Sequence, residues 1–175
     1  MKNPDDDTTQ MSEDDCPGPP DLESVLANDT VGDAASHPAL LVDTATPMVR
    51  VLELMREGNR GAALVVSSGT LVGIFTERDV LMKIAGQPTD LDHTAVRELM
   101  TVDPFTLPVD ATVAFALNRM LIEGFRHLPL VDDQNRPVAV VSMRDLIDYL
   151  SNFFSREILN LPPDGRVGFR NRDGA

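Results

Sequence analysis

Gly73-Ile74-Phe75-Thr76-Glu77-Arg78-Asp79-Val80-Leu81 is the stretch whose reading decides the fold. An apolar strand from Leu71 to Phe75 passes without a spacer into a helix whose first residues are Thr76, Glu77, Arg78 and Asp79. Such a junction leaves backbone N–H groups without intrahelical partners, and here a hydroxyl, a guanidinium and a carboxylate stand beside them. The junction returns near the C-terminus as Ala139-Val140-Val141-Ser142-Met143-Arg144-Asp145-Leu146-Ile147, with hydroxyl, arginine and aspartate in the same relative places. Two copies in one chain point to a duplicated unit.

Working outward, each junction closes the same series of elements. In the first copy an extended segment, Pro38 to Val42, precedes Thr46-Pro47, which reads as a helix N-cap followed by proline at the first helical position. That helix runs through Val51, Leu52 and Met55 to Gly58. The strand Ala62 to Val66 then meets Leu71 to Phe75 across the hairpin turn Ser67-Ser68-Gly69-Thr70, and a helix from Thr76 to about Ala85 ends the unit. In the second copy Val96-Arg97-Glu98-Leu99-Met100-Thr101 leads in to a strand at Phe105-Thr106-Leu107 and a helix from about Thr112 to Glu123. Leu128 to Val131, a turn at Asp132-Asp133-Gln134-Asn135, Val138 to Val141 and a helix from Ser142 to about Phe153 complete it. One register sets Met55 against Met120, Ala62 against His127 and Val66 against Val131. Past the hairpin it moves by one residue, pairing Gly73 with Ala139, Thr76 with Ser142 and Asp79 with Asp145, and a turn absorbs such an insertion readily. The expected fold is α+β, two β-α-β-β-α units spanning 21–86 and 87–153, between tails at 1–20 and 154–175.

Composition narrows what the chain can do. With 175 residues and 42% apolar content it can build one compact domain or two small ones sharing a core. A formal charge of -13 disfavours sequence-independent nucleic-acid binding, which needs a basic face to displace counterions, and anionic membrane surfaces for the same reason. No stretch reads as a signal peptide or a membrane span, so the expected compartment is the cytoplasm. The single cysteine, Cys16, lies in an acidic tract with Pro17-Gly18-Pro19-Pro20 that has little to bury and is expected to be disordered. A short helical turn is expected over Leu22 to Leu26. Arg156, Arg166, Arg170 and Arg172 mark the last segment as a solvated tail or as one that docks on the acidic body. There is no zinc-type Cys/His cluster, Gly-x-Ser-x-Gly elbow or P-loop, and no catalytic role is expected.

Gly73-Ile74-Phe75-Thr76-Glu77-Arg78-Asp79, the lead-in Val96 to Thr101, and Arg126-His127-Leu128-Pro129-Leu130-Val131 together resemble tandem cystathionine-β-synthase-type (CBS) domains. The likeness runs from about Pro38 to Phe153. It implies a pseudo-twofold pair of units with small mixed sheets packed on helices, a cleft on each side, and pairing of two such chains through their helices into a homodimer. It also implies regulatory binding of an adenine nucleotide or another adenosyl ligand, with the signal passed to a separate protein.

On that resemblance, Asp79 and Asp145 are expected at the ribose, since a carboxylate can accept a hydrogen bond from each of two adjacent hydroxyls. Thr76 and Ser142, at helix starts, suit a phosphate oxygen, with Arg78 and Arg144 as charge partners. The adenine slot would be lined by Arg60-Gly61-Ala62 in one unit and Phe125-Arg126-His127 in the other, with Pro38 and Phe105 from the first strands. Arg126 and His127 would favour an anion in the second cleft, unless Arg126 reaches the first across the pseudo-twofold axis. Ala139, where the family pattern has glycine, would narrow the second site. Two other readings stay open. Thr76-x-x-Asp79 and Ser142-x-x-Asp145 also fit capping boxes that stabilise a helix by roughly 1 kcal/mol with no ligand at all. The pair would then be a structural dimerisation module with empty clefts. The methionines at helical positions are expected to pack, and His37 and His93 to lie in loops.

Overall fold

The computed structural model describes residues 22–153, so the acidic N-terminal tract with Cys16 and the arginine-bearing C-terminal segment lie outside the described residues. Two short helices come first, α1 (Leu22–Asn28) and α2 (Val31–Ala34), the second in the stretch that the sequence left unread. The first unit follows as β1 (Leu41–Asp43), α3 (Met48–Glu57), β2 (Ala62–Ser67), β3 (Thr70–Thr76) and α4 (Glu77–Asp79), which continues as a π-helix over Val80–Ile84. After α5 (Val96–Leu99) and β4 (Thr101–Val102), the second unit runs β5 (Leu107–Pro108), α6 (Val113–Glu123), β6 (His127–Val131), β7 (Pro137–Ser142) and α7 (Met143–Phe153).

Each unit carries the same pairing. β2 lies between β1, parallel to it, and β3, antiparallel, while β6 lies likewise between β5 and β7. In both hairpins the register slips at the same place, between Val65 and Val66 and between Leu130 and Val131, so the duplication extends to the bulge. The first hairpin closes on Ser68 and Gly69, both with positive φ, the turn that matches strand twist. The expected α+β architecture of two small mixed sheets on helices is what the chain adopts.

Residues alternating along β2 and β3 serve two layers. Ala63, Val65 and Phe75 pack on Met48, Val51 and Met55 of α3, whereas Ala62, Leu64, Leu71 and Ile74 form a separate cluster with Val131 and Val140 of the other unit. With both faces covered, Ala62 to Val65 are all buried, and the strand reads as a continuous apolar run. The turn before β7 is tied to the first sheet: Leu71 N–H donates to the Asn135 carbonyl (2.9 Å) and the Asn135 amide to the Leu71 carbonyl (3.1 Å).

The stretches 21–86 and 87–153 exchange short segments in space. Val31 and Ala34 of α2 sit in the core of the second unit with Leu107, Met120, Leu130 and Leu146. In the other direction Val96 packs in the core of the first unit, and β4 adds to the edge of β3. Three local expectations differ from the structure. Pro47, not Thr46, is the N-cap of α3 and no side chain caps it, while the Thr46 carbonyl accepts from Val96 N–H. The helix expected from Thr76 to Ala85 is α-helical only to Asp79 before widening. Gly73 serves packing, since a Cβ there would lie 2.3 Å from Met100 Sδ and 3.1 Å from the Thr101 carbonyl, while its counterpart Ala139 bridges to Pro38.

Candidate functional site

Each strand-to-helix junction folds into a reciprocal cap, because a short hydroxyl side chain at the N-cap and a carboxylate three residues on can satisfy one another's backbone N–H groups. At the first, Thr76 N–H and hydroxyl both donate to Asp79 Oδ2, at 2.9 and 2.8 Å, and Asp79 N–H points back to the hydroxyl at 3.4 Å. At the second, Ser142 N–H and hydroxyl donate to Asp145 Oδ2 at 2.8 and 2.6 Å, with Asp145 N–H to the hydroxyl at 3.1 Å. The next N–H is engaged within the same unit, Glu77 to the Gly61 carbonyl and Met143 to the Arg126 carbonyl, both at 3.0 Å.

The junctions differ at the outer carboxylate oxygen. Asp79 Oδ1 pairs with Lys83 Nζ at 2.7 Å, and Lys83 also donates to the Leu99 carbonyl at 2.6 Å. Lys83 rises from the π-helix, a widened turn common at functional positions. Asp145 Oδ1 accepts from the Ser36 hydroxyl, with His37 Nδ1 at 3.9 Å. Burial raises the Asp145 pKa, but hydrogen bonds from Ser142 and Ser36 outweigh it and hold the carboxyl below its ordinary value.

A cavity of about 370 Å³ opens at the first junction, within the range of small-molecule sites. It brings Thr76, Arg78 and Asp79 of the first unit together with Phe105, Phe125, Arg126 and His127 of the second. Ile74, Pro104 and Leu128 extend its apolar wall, and Glu77, Asp103 and Glu123 stand among its polar groups. Phe105 and Phe125 stack with centroids 6.2 Å apart, and the Arg119 guanidinium covers Phe105 at 4.7 Å. Arg78 donates to the carbonyl of Gly124 at 3.0 Å, the residue that ends α6 in a left-handed turn.

The remaining residues singled out in the sequence are placed elsewhere. Ser142, Arg144, Asp145, Pro38, Gly61 and Ala62 do not line this cavity. Arg144 is largely exposed and stands 3.5 Å from Asp148 on its own helix, and Arg60 lines a shallower hollow with Leu52, Met55 and Val80. The site thus combines one unit's cap with the other's aromatic slot, which the sequence had assigned to separate clefts. His127 links the two sides: a Cβ on Gly61 would lie 2.6 Å from its Nε2, so only glycine leaves room for the ring. Burial lowers the His127 pKa, Glu77 raises it, Arg126 lowers it and Asp145 raises it, with a net downward shift. Sequence reasoning missed Lys83, Asp103, Glu123 and Arg119. Of these only Lys83 left a signal, four residues after Asp79 on a helix. His37 and His93 lie outside the helices and strands, as expected; both are exposed, and His93 pairs with Asp90 at 2.9 Å.

Comparison with known proteins gives the arrangement a context. The CBS domain family profile matches residues 31–86 and 96–152. An uncharacterized protein of Methanopyrus kandleri is 29% identical over 119 residues, covering 67% of this chain and 61% of the relative. An uncharacterized 17.7 kDa protein of Acidianus ambivalens is 34% identical over 117 residues, covering 66% of this chain and 70% of its own. The chain spans only 22% of a larger CBS domain-containing protein of Arabidopsis thaliana. Among solved structures, the CBS domain pair of protein MJ0100, in complex with 5′-methylthioadenosine and S-adenosyl-L-methionine, superimposes with a TM-score of 0.64 at 23% identity, covering 71% of this chain and 98% of that one. CBSX2 in complex with AMP gives a TM-score of 0.63 at 23% identity, covering 70% and 97%.

Proposed function

This chain belongs to the CBS domain family, and from that premise we propose that it is a regulatory module whose first cleft binds an adenosyl ligand and whose occupancy is reported to a separate protein. The observation that carries this is the cavity in which a carboxylate, a helix-start hydroxyl and an aromatic wall converge from two units. In the reading, Asp79 accepts hydrogen bonds from the ribose hydroxyls with Oδ1, the oxygen outside the cap, and Lys83 yields it. Phe105 and Phe125 flank the base, while Thr76 and Arg126 face the 5′ substituent. Solved neighbours of this fold in complex with AMP, or with 5′-methylthioadenosine and S-adenosyl-L-methionine, support the ligand class. The role is regulatory and not catalytic, and we place it in the cytoplasm as a homodimer joined through its helices. Exposed Leu81 and Met82 beyond α4, and Leu121 and Ile122 on α6, support that pairing. Among the described residues no helix is long and apolar enough to cross a membrane, and no group of three or more His, Cys, Asp or Glu side chains is arranged to hold a metal.

The second junction is read as closed. Ser36 already supplies Asp145 Oδ1 with a hydroxyl, the group a ribose would bring. Isothermal titration with AMP tests both statements: one site per chain is expected, with Asp79→Ala weakening it about tenfold or more and Asp145→Ala leaving it nearly unchanged. Parent-like affinity in Asp79→Ala rejects the ribose role. One observation favours a second reading, a dimerisation module without ligand: every oxygen of both aspartates already has a partner within the chain. No binding of any adenosyl compound, with folding intact, would establish it.

A further inference from the structure

We infer that the first cleft discriminates by phosphate number, accepting an adenosyl ligand with at most one phosphate and rejecting the di- and triphosphate. This rests on the adenosyl-binding reading and adds to it the charge class of the ligand.

The backbone donors a polyphosphate needs are already engaged. At the start of α4 the N–H groups of Thr76, Glu77 and Asp79 are held by Asp79 Oδ2, the Gly61 carbonyl and the Thr76 hydroxyl. A helix start binds anions through free N–H groups, and here three of the four from Thr76 to Asp79 point at the protein. The Arg78 guanidinium gives one N–H to the Gly124 carbonyl, which ties it to the end of α6, and Lys83 is held between Asp79 and the Leu99 carbonyl. Arg126 is exposed, and neither it nor Arg78 has an ion-pair partner among the described residues. One such arginine can meet one phosphate.

The carboxylates oppose any further negative charge. Glu77, Asp79, Asp103 and Glu123 line the cavity against two arginines and His127, whose pKa is already depressed. Asp79 and Glu123 are balanced by Lys83 and Arg119, at 2.7 and 3.5 Å, whereas Glu77 and Asp103 have no ion-pair partner among the described residues. Asp103 is held at the cavity by a left-handed turn (φ 49) and a bond from its N–H to the Val72 carbonyl. Glu77 and Asp103 offset the unpaired Arg78 and Arg126, so the cavity holds no surplus positive charge for a β- or γ-phosphate.

The test is isothermal titration of the full chain with 5′-methylthioadenosine, AMP, ADP and ATP, in low salt and without divalent cations. ATP is expected to bind about tenfold or more weakly than AMP, a gap that narrows with added salt as the repulsion is screened. Glu77→Gln combined with Asp103→Asn should raise ATP affinity toward that of AMP while leaving 5′-methylthioadenosine unchanged. Arg126→Ala should weaken AMP and not 5′-methylthioadenosine. ATP binding as tightly as AMP, or an ATP affinity indifferent to the carboxylate substitutions, overturns the inference and leaves adenosyl binding standing. No binding of any of the four compounds overturns both.

Discussion

At Asp79 and Asp145 one carboxylate does two jobs with two oxygens. Oδ2 closes the helix cap in both units, and Oδ1 is left to whatever stands nearby, a lysine in one unit and a serine hydroxyl in the other. The choice posed by the sequence, cap or ligand, is therefore not exclusive at the first junction. His127 carries a separate consequence. In the unfolded chain its ring titrates near the ordinary 6.5, whereas in the folded protein burial lowers that value despite the attraction of Glu77 and Asp145. Below that pH the unfolded state binds more protons, so stability must fall as pH drops. Urea denaturation at pH 7.5 and 5.5 should show the midpoint moving down on acidification in the parent, with a shallower decline in His127→Gln. An equal decline in both would assign the effect to other groups.

At the scale of elements, the packing of β4 and its lead-in against β3 explains why repeat one has a glycine at position 73. Gly73 pairs with Val102 and lies under Met100, with no space for a methyl group. Gly73→Ala should cost about 1–3 kcal/mol from overpacking. The same substitution made in a Met100→Ala background should cost clearly less, because the thioether is the nearer obstacle. Chemical denaturation of the four proteins of the cycle measures the coupling, and strict additivity would exclude the contact. Repeat two accepts alanine at the matching position because its neighbour is the Pro38 bridge.

At the scale of the molecule, α4 and the end of α6 are joined through the Arg78–Gly124 bond, while the segment after α4 exposes Met82 by 75% and α6 exposes Ile122 by 67%. If homodimers form through these helices, Met82→Glu with Ile122→Glu should convert the protein to a monomer in sedimentation velocity without changing its circular dichroism. An unchanged sedimentation coefficient would reject that face. Much of the organisation was legible in the sequence by itself: the duplication, the order of strands and helices, both caps and the α+β class follow from apolar periodicity, turn residues and hydroxyl–carboxylate spacing, all of which act over a few neighbouring residues. What only the tertiary structure decided is which elements share a core and a cavity. α2 crosses to the second unit, β4 to the first, and the cap of one repeat meets Phe105, Phe125 and Arg126 of the other, because burial of apolar faces joins residues far apart in the chain and leaves no periodic trace of its partners. The unequal partners of the two aspartates, Lys83 and Ser36, arise the same way, from contacts that spacing within either repeat does not encode.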